Sequence, residues 1–205
     1  IRSFSLSRNG GQGQARNIGA ALARGRFLAF LDQDDEHAPG WYRQALAHLH
    51  GQPELAAVSG VARVVDIPPR LGIAEDDLRV TSLGTVFVTN IVFRASVFRA
   101  SGGFPTDALW RSRIAGEDGV YRTGLARNWH AVQCDHPAVV HRAREGGATV
   151  YFLDRSEVRD DRVVITRLEP MELNGELEAA QKEYWSRFEA IANELRACAA
   201  PPAAD

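Results

Sequence analysis

The sequence predicts an α/β fold, and two adjacent segments carry that prediction. In residues 14–24 the apolar side chains Ala15, Ile18, Ala21 and Leu22 recur at helical spacing, with Gly25 placed where a left-handed helix terminator belongs. Residues 27–31 then form an unbroken apolar run that stops abruptly at Asp32, the pattern of a strand covered on both faces. A helix followed this closely by a buried strand indicates α/β architecture. At 205 residues, 45% apolar and 24% charged, the chain is long enough to bury one sizeable core. Its formal net charge of -2 excludes a global basic field for gathering nucleic acid or an anionic membrane, so any anion must be bound at a local site.

Taken in order, residues 1–6 read as an opening strand, followed by the helix and buried strand just described. Pro39 suits the first turn of a helix over residues 38–50, whose apolar stripe is Trp41, Tyr42, Ala45, Leu46 and Leu49. Residues 56–65 read as a strand. Residues 66–83, acidic, Pro-containing and weakly periodic, read as a loop excursion. Another strand is expected over 87–93, then a short helix at 96–100 and a Gly102-Gly103 turn. Residues 114–128 form a helix with Glu117-Asp118 at its head, where the helix dipole favours acids. Residues 129–134 and 138–141 look like two short strands, and 142–148 like a loop.

From 169 to 197 a charged helical pattern carries Leu177, Ala180, Tyr184, Phe188, Ile191 and Leu195 along one side, an appendage for packing or for homo-oligomer pairing. The expected organisation is a main domain over 1–153, a helical extension over 154–198 and a disordered tail over 199–205. Cys134 and Cys198 offer neither a disulfide framework nor a zinc-ligand spacing, which suits a reducing cytoplasm. No transmembrane run or signal peptide is legible. The expectation is a soluble cytoplasmic chain.

The chemistry concentrates in Asp32, Gln33, Asp34 and Asp35. Three carboxylates within four positions repel one another unless a positive charge sits among them, and open α/β sheets place ligands beyond the carboxyl ends of their strands. A magnesium or manganese ion sharing its coordination with phosphates satisfies both facts. A solvated acidic turn capping the next helix is the plainer alternative. Glu117-Asp118, taken alone, merely favours a helix N-terminus.

Context sharpens this. The run Gly11, Ala15-Arg16-Asn17, Gly19, Ala23, Gly25 and Phe30-Leu31-Asp32-Gln33-Asp34-Asp35 resembles the family 2 glycosyltransferases, which have the GT-A fold, a Rossmann-like mixed sheet flanked by helices. A second match runs from Asn90 to Arg94 through Val97-Phe98 and Gly102-Gly103-Phe104 to Glu117-Asp118. The resemblance implies Asp34 as the chief metal ligand, with Asp35 on the metal through water or orienting the loop. It implies Asp32 facing the nucleoside, with Arg16, Asn17 and Gln33 also on the donor side. Asp118 becomes the general base, taking a proton from the acceptor hydroxyl, and Glu117 its orienting partner. His141 is implied as a further metal or phosphate ligand, a partly buried histidine bonded to backbone being the plain alternative. Arg142 and Arg144 could meet the diphosphate. Trp110 could platform an acceptor sugar, core packing being the commoner fate of a tryptophan. Trp41, Trp129 and Trp185 read as structural.

Family members usually open with an apolar strand and a second strand ending in Asp-Asp-Gly-Ser. Neither stands in this sequence: either such a segment lies upstream of Ile1, which is the expectation, or the chain departs from the family at its start. The leading functional expectation is a metal-dependent, inverting transferase using a UDP-sugar donor and a saccharide or lipid-linked acceptor. A catalytically inactive sugar-nucleotide-binding or scaffold protein is the alternative. A magnesium-dependent phosphoryl-transfer enzyme leaves Ala15-Arg16-Asn17 and Glu117-Asp118 unexplained.

Overall fold

A computed structural model describes residues 2–112 and 116–199. The expected tail beyond 199 and the expected helix start at 114 lie outside the described residues. In chain order the elements are α1 (Gly11–Leu22), β1 (Phe27–Ala29), β2 (Asp35–His37), α2 (Trp41–Gly51), β3 (Ala57–Val65), α3 (Leu78–Leu83), β4 (Ile91–Arg94) and α4 (Ala95–Ala100). There follow α5 (Glu117–Asn128), β5 (Ala131–Arg142), α6 (Ala148–Asp154), β6 (Ser156–Arg159), β7 (Arg162–Ile165), α7 (Pro170–Leu173) and α8 (Glu176–Ala199). Five strands form a mixed sheet in the order β1-β4-β3-β5-β2, in which β3 and β5 run parallel and the other neighbours antiparallel.

Alternation along the central strands builds a core on each face. Ala57 and Phe93 point to one side, where they meet Ala20, Phe98, Phe104, Tyr121, Leu125 and Phe188. Val58 and Val92 point to the other, against Trp41, Ala45 and Leu49 of α2. The aromatic cluster is tightly interlocked, Phe104 and Tyr121 lying 4.7 Å apart between ring centroids and Tyr121 and Phe188 meeting edge-on at 5.6 Å.

Several sequence expectations change. Residues 2–6 form no strand, and Phe4 and Leu6 are exposed, having no sheet neighbour to pair with. Helix α1 starts at Gly11 rather than 14, and its buried face is Gly13, Arg16 and Ala20, not the Ala15/Ala21 stripe. Gly25 does not terminate it; the helix ends in extended backbone at Ala23. The run 27–31 yields only a three-residue edge strand that leaves Ala29 and Leu31 exposed, so it is not covered on both faces. Pro39 stands before α2, which is entered through Gly40 at φ 84°.

The expected loop 66–83 contains a 3-10 turn at Pro69–Leu71 and then α3, capped by the Asp77 carboxylate, which accepts from the Arg79 N–H at 2.9 Å. Val80 and Leu83 pack there with Val64, Val150 and Leu153. The two short strands after 128 are one strand, β5, whose register against β3 shifts around Val61 and Pro137. A Cβ on Gly60 would meet the His136 carbonyl at 2.6 Å, so only glycine admits this close crossing. The helical extension contains the β6–β7 hairpin, and Gly175, at φ 77°, separates α7 from α8. Helix α8 belongs to the core: Phe188 is fully buried, the Tyr184 hydroxyl donates to the Gly103 carbonyl at 2.6 Å, and the Trp185 indole donates to the Val120 carbonyl at 2.9 Å. Among the described residues no helix is long and apolar enough to cross a membrane.

Candidate active site

Arg16 is the hub of the site. Helix α1 approaches the chain before α5 so closely that a Cβ on Gly13 would lie 2.7 Å from the Pro105 carbonyl. Asn17 fixes that approach. Its amide donates to the Phe104 carbonyl and accepts from the Phe104 N–H, both at 2.9 Å. Gly102 and Gly103, at φ 83° and 73°, form the turn that presents Phe104. Asn17, expected on the donor side, has its amide engaged in this backbone clamp.

From this position the Arg16 guanidinium, only 7% exposed, spans both sequence motifs. Nη2 donates to both Asp32 carboxylate oxygens at 2.9 Å, while Nη1 donates to Glu117 at 3.2 Å and, at shorter range, to Asp118. The guanidinium also lies 5.5 Å from the centroid of the Phe104 ring. Among the described residues one cation therefore faces three carboxylates. Burial pushes the Asp118 pKa up to about 8; Arg16 opposes the rise, and the neighbouring Glu117 and Asp32 carboxylates reinforce it. Burial likewise raises Glu117 against the pull of Arg16. Burial alone would lower Arg16, but the carboxylates of Asp118, Asp32 and Glu117 outweigh it and hold the guanidinium above its usual value.

The rest of the acidic turn divides. Asp34 pairs with Arg144, and Gln33 is exposed with its side chain outside the Arg16 cluster. Asp35, its side chain 1% exposed, accepts from His141 Nδ1 at 2.7 Å in the β2–β5 register that sets the two residues opposite one another. The other ring nitrogen, Nε2, bonds the Thr149 hydroxyl at 2.8 Å, and the ring lies against Phe87 with centroids 4.6 Å apart. Both ring nitrogens of His141 and the facing oxygen of Asp35 are thus committed to a buried chain of hydrogen bonds. These are two of the residues that the resemblance implies as metal ligands, and the structure bonds them to one another. Among the described residues no group of three or more His, Cys, Asp or Glu side chains is arranged to hold a metal ion. Asp34, about a fifth exposed and held by one exposed arginine, retains the character of a single protein ligand for a magnesium or manganese ion that takes its other oxygens from phosphates and water. Arg142 is engaged elsewhere, with Asp66 at 2.9 Å and Glu36 at 3.0 Å.

Glu117 and Asp118 open onto a cavity of about 1240 Å³. Its walls include Gln12 of α1, Val86 and Phe87, Trp110, Tyr151 and Phe152 of α6, and Gln181 and Trp185 of α8. Trp110 is largely buried and lines the wall without standing free in it. Sequence reasoning missed the contribution of α6 and α8. A helical stripe announces an apolar face but not what it covers, and Trp185, read as structural, is both a core residue and a wall residue.

Helices on both faces of a mixed sheet, an acidic turn at a strand end and an acidic pair heading a helix over a large cleft fit the GT-A fold that the sequence motifs implied. Residues 1–98, just under half of the chain, match the family model described as Glycosyl transferase family 2, the family that the motifs resemble. A 46-residue stretch is 46% identical to the succinoglycan biosynthesis protein ExoO of Rhizobium meliloti (strain 1021), covering 22% of this chain and 13% of that protein. The structure resembles TarS 1-349 of S. aureus (TM-score 0.50, 18% identity, 89% of this chain and 52% of that one). It also resembles TarS 1-349 in complex with UDP-GlcNAc (0.48, 20%, 71% and 45%). The mannosyltransferase PcManGT of Pyrobaculum calidifontis, in complex with GDP-Man and Mn2+, scores 0.46 at 19% identity over 94% of this chain and 56% of that one. The chain thus spans about half the length of these solved structures and far less of the curated relative.

Proposed function

We propose that the chain is the core of a metal-dependent, inverting glycosyltransferase that moves a sugar from a UDP-sugar to an acceptor hydroxyl. The observation that carries this reading is the Arg16 bridge. It joins the strand-end carboxylate Asp32 to the cleft-facing Asp118, so the expected donor side and acceptor side share one buried cation.

The acceptor hydroxyl enters from the cleft and attacks the anomeric carbon opposite the diphosphate. Asp118 takes the hydroxyl proton as the new carbon–oxygen bond forms, and the bond to the diphosphate breaks with its electron pair leaving on the phosphate oxygen. Glu117 and Arg16 hold the Asp118 carboxylate in place. Asp32 accepts hydrogen bonds from the nucleoside with whatever valence Arg16 leaves free, and Asn17 acts indirectly by fixing α1. Asp34 would hold the divalent cation, which when bound offsets charge on the diphosphate. Arg144, already at Asp34, supplies a second cation to the same group.

Calorimetry with UDP and manganese tests the donor half. Binding is expected to need the metal and to be lost in Asp34→Ala; unchanged binding in that variant removes Asp34 from the site. Turnover of a UDP-sugar panel separates this reading from an idle nucleotide-binding protein, which would bind donor and transfer nothing.

A further inference from the structure

We infer that the cavity lined by Arg122 is a binding site for a small oxyanion, separate from the cleft. Three other partly or fully buried arginines each have an evident compensation. Arg16 faces three carboxylates, Arg155 is held by both Glu172 oxygens at 2.6 and 3.0 Å, and Arg94 bonds the carbonyls of Leu49, Gln52 and Leu55 at the C-terminal end of α2, where the helix dipole is negative. Arg122 has no such partner. Nη1 donates to the Phe87 carbonyl and the Asn90 side-chain oxygen, both at 3.0 Å, and Nη2 reaches the Ser59 hydroxyl at a long 3.3 Å. All three acceptors are neutral, and among the described residues no carboxylate forms an ion pair with it.

Burial pulls the Arg122 pKa down to about 10, and no neighbouring acid offsets that fall. A buried charge is ordinarily paired, because its desolvation is otherwise uncompensated. Here the guanidinium lines a cavity of about 180 Å³ between α5 and the strands β3, β4 and β5, with Ser59 and Gln133 as further polar walls. Nε–H and one Nη2 proton are left without a protein acceptor among the described residues, and two donors on one guanidinium suit two oxygens of a single anion. The space accommodates an anion of the size of phosphate, sulfate or acetate and no nucleotide.

Thermal shift and calorimetry in chloride-free buffer, with inorganic phosphate, sulfate and acetate as probes, test this. At least one is expected to bind saturably at one site per chain, undisplaced by UDP with manganese. Arg122→Met should weaken that binding at least tenfold. Ala131→Leu, which fills the cavity and spares the guanidinium, should do the same and carries the test if Arg122→Met does not fold. Absence of saturable binding in the parent, displacement by UDP, or undiminished binding in a folded Ala131→Leu variant would each overturn the site.

Discussion

One turn apart on α5, the protein buries charge in opposite imbalance. Among the described residues, three carboxylates around Asp118 share the single cation Arg16, and around Arg122 a single cation has no carboxylate. The first region holds excess acid beside a large cleft, the second excess base beside a small cavity. Each imbalance costs stability in the free chain, since low-dielectric surroundings penalise uncompensated charge. The difference teaches what each place is built to meet. An acid surplus suits a proton to be taken and a cation to be received, while a base surplus suits an anion.

The largest expected effect tests the acid side directly. Asp118→Asn keeps shape and hydrogen bonding but removes the proton acceptor, and general-base catalysis is typically worth about 10²–10⁴-fold. Transfer to acceptor should fall by about that factor with donor binding retained. Equal turnover by variant and parent would leave Asp118 with a purely structural place beside Arg16. Next comes Arg16→Met, which strands three carboxylates around an apolar side chain. Breaking a buried charge network from one side costs about 3–5 kcal/mol, read as a lower urea midpoint, and a second change, Asp32→Asn, should recover part of it. Were Arg16→Met as stable as the parent, the carboxylates would have to be protonated or hydrated already, and the comparison with Arg122 would collapse. A smaller signature is kinetic. Because the base must be ionised and burial holds Asp118 near pKa 8, kcat/KM should climb with pH and level off above about 8. A profile already flat from pH 6 would show that Asp118 is ionised throughout that range.

The two regions also differ in how far the sequence disclosed them. Asp32, Asp34, Glu117 and Asp118 were legible as candidates because clustered acids at a strand end and at a helix head are conspicuous locally, and the Ala-Arg-Asn run linked them to a family resemblance. That Arg16 touches both groups was not, because the contact depends on α1 turning Gly13, Arg16 and Ala20 inward, against its more obvious apolar stripe. Asp35 and His141, 106 positions apart, meet only through the β2–β5 register, and Asp35-Glu36-His37 has too little β propensity to announce a strand. The fold was readable wherever one element buries its own period, as in α2 and β3. It was lost where tertiary partners decide, as in α8, whose stripe covers the aromatic core and a cleft wall at once. Arg122 gave no signal at all. A lone arginine within a helix is ordinary until its surroundings are known.

The smallest effect separates the two imbalances without any substrate. The folded protein holds Asp118 at about 8, well above the usual carboxylate value of 3.8, so between those values the folded state binds a proton that the unfolded chain has released. That contribution is fully present below pH 4 and is lost as pH rises through about 8. Asp118→Asn never ionises at this position, so its melting temperature relative to the parent should improve steadily from pH 5 to pH 9. Arg122 behaves otherwise. Its pKa, lowered to about 10, still leaves it charged in both states through most of that range, so the melting difference between Arg122→Met and parent should stay nearly flat from pH 5 to pH 8.5. Parallel melting curves against pH for the parent and the two variants therefore read the sign of each imbalance. If the Asp118→Asn difference were as flat as that of Arg122→Met, the acid surplus would already be neutralised in the free chain, and the base would not owe its proton affinity to the three-carboxylate cluster.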